Sequence, residues 1–400
     1  MNGSKFELVV VGAGISGLGF AHLANQRGIK TLVLEAAHEP GGCLHTHLFK
    51  TDEGVFWAEL GAHTCYNSYG NLLKIIEETG QLTSLKAKEK LRYWLQTDQG
   101  LTSIPSQLNY FELLGVIPRL LLSKKEGSSV GDYFGKIMGK RNFQRVLGPA
   151  LDAVVCQPAA DFPADAMFRK KPRRKEIIRS YTGPEGLQSF VNGIVSQPGL
   201  EVRVDSPVTQ IEQTEDGYRV STESGQAIET SRLALAIPPD VAARLLQSSL
   251  PQLAEPISQI QMVEIESVAV LLKADTLELQ PLAGIIGRND DFYSVVSRDL
   301  TPDPRYRAFT FHFRPGRLDD AGKMRRIREV LGVQESDILD SARYQNRLPA
   351  LRLGHSERVS GLDGALRDQP LALTGNWFSG VSIEDSLVRT VQEFARLYPA

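Results

Sequence analysis

The chain has 400 residues, 42% hydrophobic and 8% aromatic, enough apolar material for one large core or two modest ones; at ~100–200 residues per domain, two domains are expected. Its 45 Lys plus Arg nearly balance 47 Asp plus Glu, which excludes a global electrostatic attraction to nucleic acid. Cys43, Cys65 and Cys156 lack zinc-ligand spacing, and an odd count of three argues against a disulfide framework, so a reducing compartment is expected. No apolar run approaches the ~20 residues of a bilayer span. Residues 1–12 read as a strand entering a turn and not as a signal peptide. The expectation is a soluble, cytoplasmic protein.

Phe6 to Val11 is a short apolar run that stops at Gly12, the pattern of a buried parallel strand. Ser16 to Arg27 has helical spacing, closed by Gly28. Thr31 to Leu34 is a second buried strand ending at Glu35. This βαβ unit implies a parallel sheet. Residues from about Ser106 to Leu151 read as helices broken at Pro118, Gly127 and Gly139. Gly186 to Ser196 reads as a further helix. Glu201 to Ile237 alternates in short runs around a turn at Glu215-Asp216-Gly217. Strands are predicted at Ser267–Leu272 and Ala308–Phe313, and a helix at Ala321–Leu331. Leu371–Thr374 reads as a strand, Gly375–Gly380 as a loop and Ile383–Leu397 as the last helix.

Gly12-Ala13-Gly14-Ile15-Ser16-Gly17 is G-x-G-x-x-G between the first strand and its helix. Gly12 permits the tight turn, Gly14 admits a pyrophosphate to the backbone, and Gly17 lets helix and sheet pack closely. The helix N-terminus offers free N–H groups and the positive dipole end. Glu35 stands where an acid accepts ribose hydroxyls. These features leave NAD and FAD both open.

Beyond Glu35-Ala36 the chain carries Pro40-Gly41-Gly42, Thr46 and Glu59-Leu60-Gly61-Ala62. Near its end it carries Thr374-Gly375-Asn376-Trp377-Phe378-Ser379-Gly380-Val381-Ser382-Ile383. With these segments the sequence resembles the flavin-containing amine oxidase superfamily, most of all its protoporphyrinogen oxidase-like branch. The resemblance spans nearly the whole chain and is loosest between about 250 and 365. It implies FAD as cofactor, with a glycine loop beside the flavin ring at Gly61-Ala62. It implies an adenine contact through the backbone of Val208. It also implies a last segment, Gly375, Asn376, Val381, Ser382 and Ile383, that crosses the flavin and starts a helix under its pyrimidine end. Cys43 stands where family members commonly have Arg. Val381 and Ser382 occupy the stretch where monoamine oxidases tether flavin to Cys, so noncovalent FAD is expected. The chain is short beside the protoporphyrinogen oxidase branch, which counts against a tetrapyrrole substrate.

His63 follows the Gly61-Ala62 loop: it is either a substrate-orienting or proton-transferring group or a histidine satisfied within the fold. Trp377 either stacks on substrate or flavin or packs in the core. His45 and His47 read as structural, and Cys65 and Cys156 as small buried hydrophobes. The basic run Arg169, Lys170, Lys171, Arg173, Arg174 and Lys175 reads as a solvated loop, with an anionic substrate or membrane surface as the alternative. The apolar helix with Leu113, Leu114, Ile117, Leu120 and Leu121 leaves core burial and peripheral membrane contact both open.

The expected fold class is α/β: a Rossmann-like FAD-binding domain with a second, mixed helical and antiparallel-sheet substrate domain. The FAD domain is assigned to 1–85, 186–255 and 365–400, and the substrate domain to 86–185 and 256–364. No metal site is expected, because the cofactor carries the difficult chemistry. The resemblance implies an oxidase or dehydrogenase for a small, hydrophobic or heterocyclic substrate, giving hydride from a carbon next to nitrogen or within a heterocycle. The electron acceptor is dioxygen or unknown. The alternative is a flavin-dependent isomerase resembling UDP-galactopyranose mutase.

Overall fold

The computed structural model describes residues 6–116 and 123–399. Strand β1 (Phe6–Val11), helix α1 (Ile15–Gln26) and strand β2 (Thr31–Leu34) follow one another, and β1 and β2 pair in parallel. Apart from exposed Glu7 and buried Thr31 both strands are apolar, because both faces of their sheet are covered. Glu201–Arg203 extends the sheet beyond β2, and Ala227–Leu235 lies parallel on the other side of β1. Its last residues also pair in parallel with Leu371–Leu373, while its first residues pair antiparallel with Gly217–Thr222, which leads to Val208–Thr214. The far C-terminus is thereby stitched into the N-terminal sheet. One core cluster packs α1 and the last helix, Ile383–Leu397, on one face; the other face is covered by Pro239–Leu246 and Pro251–Ser258.

A second seven-stranded sheet runs in the order Ile338–Ala350, Gln261–Lys273, Tyr306–Phe313, Phe292–Ser297, Gly284–Gly287, Tyr93–Thr97 and Gly100–Ser103. All its pairs are antiparallel except Gly284–Gly287 with Tyr93–Thr97. A hairpin, Thr46–Thr51 with Gly54–Glu59, bridges the two sheets. Its Phe49, Phe56 and Ala58 pack against Ala269, Leu271 and Ala308 of the second sheet. The fold class is therefore the expected one, a mixed α/β architecture with an antiparallel second sheet and short helices beside it.

Three sequence readings shift. The helix expected at Gly186–Ser196 starts at Gln188, since Gly186 takes φ +80° and closes the preceding turn. The strands at 93–103 and the strand Ile338–Ala350 were not foreseen, nor was the helix His355–Leu366. The apolar helix is described only as Tyr110–Gly115, where Tyr110, Phe111 and Leu114 are exposed; Ile117, Pro118, Leu120 and Leu121 lie outside the described residues. No helix among the described residues is long and apolar enough to cross a membrane.

Candidate active site

The turn after β1 has the geometry its glycines require. Gly12 takes φ +99°, and a Cβ there would lie 2.5 Å from the Ala236 carbonyl oxygen. A Cβ on Gly17 would collide with Gly12 O, so α1 sits directly on the turn. Ile15 and Ser16 open α1 and are buried, and Gly14 precedes it. Glu35 reaches back: its Oε2 accepts the Ala13 N–H at 2.6 Å and its Oε1 the Ala37 N–H at 2.9 Å. Ser206 N donates to Glu35 O at 2.8 Å, and Asp205 N to Ala37 O at 3.1 Å. The chain two to three residues before Val208 is thus bonded to the backbone on either side of Ala36.

Gly41-Gly42 folds onto the same turn. Gly41 N donates to Ala13 O at 2.9 Å, and a Cβ on Gly42 would stand 3.3 Å from Gly14 Cα. Two backbones approach here with no side chain between them, a cradle for a group held by main-chain contacts. Behind it, Gln188 Nε2 donates to Pro40 O at 2.8 Å. Glu59 ties three segments together: Thr46 Oγ1 donates to it at 2.7 Å and Leu187 N at 2.7 Å. Gln188 and Glu59 were not named from sequence as site residues; the resemblance to Thr46 and the 59–62 loop was the available signal for Glu59.

The next loop packs on Cys43. Ala62 N donates to Cys43 O at 2.7 Å, and Gly61 leaves no room for a Cβ beside that oxygen. The C-terminal segment arrives at the same point, with Asn376 Nδ2 at 3.9 Å from Cys43 Sγ. Gly375 takes φ +146°, and this reversal sends Trp377 inward. Trp377 is 1% exposed, stacks on Phe378 at 3.8 Å and donates to Ile237 O at 3.2 Å. It is a core residue, which corrects the reading of it as a stacking face for substrate. Val381, by contrast, is 42% exposed. Ser382 caps the last helix in a capping box with Asp385, and Ile383 begins it.

The electrostatics concentrate around His63. Lys88 Nζ donates to His63 O at 2.5 Å and to Thr64 Oγ1 at 2.9 Å. Burial, with Lys88 and His312 nearby, lowers His63 to about 3, so its imidazole is neutral at physiological pH. Burial lowers Lys88 to about 8 against the pull of Glu59, and raises Glu59 to about 7. Across the interface, Asn346 Nδ2 donates to Leu60 O at 2.8 Å and to Ser267 Oγ at 2.9 Å. Ser267 Oγ in turn bonds His312 Nδ1 at 2.9 Å. This buried chain links the 59–63 loop to the second sheet, and its members come from strands too far apart for sequence spacing to reveal.

The basic run is divided. Lys171 pairs with Asp385 at 2.7 Å and Ser382 Oγ at 2.8 Å, locking the start of the last helix. Arg174 pairs with Glu77 and Glu176, and Arg169 donates to Asp165 O. Lys170, Arg173 and Lys175 are exposed, as the solvated-loop reading expects. His45 stacks on Tyr344 at 4.0 Å and His47 packs edge-on to Phe49, both structural roles. Cys65 is buried; Cys156 is half-buried and caps a helix at φ +49°, so its position is fixed by the helix end as much as by packing.

A dinucleotide turn closed by a glycine pair and by a loop from the far end of the chain, beside an antiparallel sheet, defines a dinucleotide-binding protein. Residues 15–311 match the family of flavin-containing amine oxidoreductases, and the chain belongs to that family. Among curated relatives, nicotine dehydrogenase of Pseudomonas putida is 24% identical over 59% of this chain and 54% of its own length. The chain spans about half the length of the first relatives it matches. Coproporphyrinogen III oxidase of Propionibacterium freudenreichii is 22% identical over 96% of this chain and 89% of its own. A proposed protoporphyrinogen oxidase from Exiguobacterium shares the fold with a TM-score of 0.76 at 18% identity, covering 98% of both chains. Reduced UDP-galactopyranose mutase shares it too, with a TM-score of 0.75 at 14% identity over 98% of this chain and 95% of its own. Family membership makes FAD the cofactor, and with Val381 and Ser382 in place of a cysteine it is held noncovalently.

Proposed function

We propose that the chain is an FAD-dependent oxidase or dehydrogenase that takes a hydride from a carbon next to nitrogen or within a heterocycle, leaving an imine or a new double bond. The observation that carries this reading is the approach of Gly42 to Gly14 with no side chain between them, together with the C-terminal loop reaching the adjacent Cys43 through Asn376. Bound there, FAD supplies a hydride-accepting N5 and passes the electrons to dioxygen or another acceptor. In this reading the turn Gly12, Ala13, Gly14, Ile15, Ser16 and Gly17 would hold the pyrophosphate at the start of α1, the N–H groups of Gly12 and Ala13 shaping the turn through Leu34 O and Glu35. Glu35 takes the ribose and Val208 the adenine. Val381, Ser382 and Ile383, at the start of the last helix, would lie by the pyrimidine end, where the helix dipole favours negative charge; the Ser382 N–H itself is spent on Asp385. Neutral His63 orients the substrate without carrying a charge of its own.

The two-domain division at 1–85, 186–255 and 365–400 against 86–185 and 256–364 is part of this proposal, with the active site at their junction. So is a cytoplasmic setting, which suits three cysteines that all stand free. Anaerobic addition of candidate amines or pyrrolic compounds to the purified protein tests the chemistry. Bleaching of the bound flavin's visible absorbance is the expected result. If dithionite alone bleaches it and a UDP-sugar then isomerises, the oxidoreductase reading is wrong.

A further inference from the structure

Behind His63 lies a small cavity whose charges do not balance. It is lined by Trp57, Glu59, His63, Lys88, Arg298 and Thr310, among others, and holds about 20 Å³ of free space, room for a water-sized group or two. Arg298 lies flat over Trp57, with its guanidinium carbon 3.9 Å from the ring centre. Its Nε and Nη1 are buried and have no hydrogen-bond partner. Lys88 spends two of its three N–H groups on His63 O and Thr64 Oγ1.

Glu59, which also lines the cavity, is the one acid there that faces both cations, and its two oxygens already accept from Thr46 Oγ1 and the Leu187 N–H. Asp299 pairs with Arg307, and Asp303 with Arg305. Burial draws Arg298 down to about 10 and Lys88 to about 8, the direction expected of cations short of a partner. Two buried cations facing one lining carboxylate leave positive charge in excess, and the unpaired N–H groups of Arg298 add to that cost.

We propose that this cavity is an anion subsite that receives a carboxylate, with Arg298 and Lys88 as its donors. Resting on the function proposed above, the carboxylate belongs to the substrate: His63 is shared between the cavity wall and the loop beside the flavin, so an amine or heterocycle anchored there presents its far end to the cofactor. The anion recognition that is the alternative reading of residues 169–175 then falls to Lys88 and Arg298, since Lys171 and Arg174 already have carboxylate partners.

The first arm of the test needs no substrate and no turnover. Tryptophan fluorescence of the purified protein is titrated with sodium acetate and with acetamide at constant ionic strength. Acetate saturates and acetamide does not; Trp57→Phe removes the signal. Arg298→Met and Lys88→Met each weaken acetate at least about tenfold, as loss of a charged hydrogen bond should, while Arg298→Lys keeps part of it and shows that the fold survives. An acetate response unchanged in Arg298→Met, or none at all, overturns the subsite whether or not the protein carries flavin. The second arm compares 4-aminobutyrate and 5-aminovalerate with their amides, read by perturbation of the bound flavin's spectrum. Tighter binding of the acids, lost in Arg298→Met, supports a substrate carboxylate. Equal binding of acids and amides alongside a positive acetate arm means that the cavity takes a free anion only, and overturns the substrate assignment. Protein devoid of flavin would sink the parent function and leave the acetate result standing.

Discussion

Glu35 shows how one side chain is set by its neighbours. Both carboxylate oxygens are already oriented by the amides of Ala13 and Ala37, so the acid is preorganised at the end of β2. Glu35→Ala is expected to weaken FAD retention at least about tenfold, on the scale of a lost charged hydrogen bond, measured by reconstitution of the flavin-stripped protein; unchanged retention would remove Glu35 from the site. His312 and Glu59 make opposite statements about pH. His312 is lowered from 6.5 to about 4 by burial, so below pH 6.5 the unfolded chain takes up a proton that the folded chain refuses. Its share of stability, up to about 3 kcal/mol, is present above 6.5 and lost as pH falls toward 4. Glu59 is raised from 4.5 to about 7, so stability declines as pH rises across that window. In denaturant melts at several pH values, His312→Asn should flatten the acid-side loss and Glu59→Gln the loss between pH 4.5 and 7; parallel curves for wild type and variants would contradict both assignments. The glycines and Glu35 were readable in the sequence because their roles are local, a turn and the strand end beside it. Lys88, Arg298 and His312 were not, because their burial is made by strands some 200 residues apart in the chain.

At the level of elements, the last helix does more than end the chain. Its second residue, Glu384, is buried and accepts the N–H groups of Asn71 and Leu72, capping the helix Gly70–Glu78 from outside. The Ser382–Asp385 box and Lys171 fix its own start. Glu384→Ala should therefore cost about 1–3 kcal/mol by stranding buried N–H groups, seen as a lower thermal midpoint with the flavin-free protein affected as well; a midpoint within error of wild type would show that the cap is dispensable. The sequence announced this helix through Ser382 and the apolar spacing after it, and it announced β1, α1 and β2 through the run-turn-run pattern. It did not announce Ile338–Ala350. That strand is at the edge of its sheet and carries Asp340, Arg343, Gln345 and Arg347, so its polar face hides the alternation that marks a strand. The helix His355–Leu366 carries Gly361 and Gly364, poor helix formers held by packing of Leu362 and Leu366 in the core.

Across the whole molecule, the two ends of the chain converge. Leu371–Leu373 pairs beside the strand next to β1, and the loop that follows meets the Gly41-Gly42 segment through Asn376 and Cys43. The first reading of the phosphate turn left NAD and FAD open; the second and third segments, and family membership, decide for FAD. The convergence was visible as two motifs at opposite ends of the sequence, but their contact is a property of the parallel sheet that brings residue 374 to residue 235. The central claim is that both ends together hold FAD without a covalent bond. Acid precipitation of the purified protein, followed by absorbance and fluorescence of the supernatant and pellet, tests it directly. The expected result is FAD in the supernatant, near one per chain, with a colourless pellet. Protein that carries no flavin and takes none up, or flavin that stays in the pellet, would contradict it.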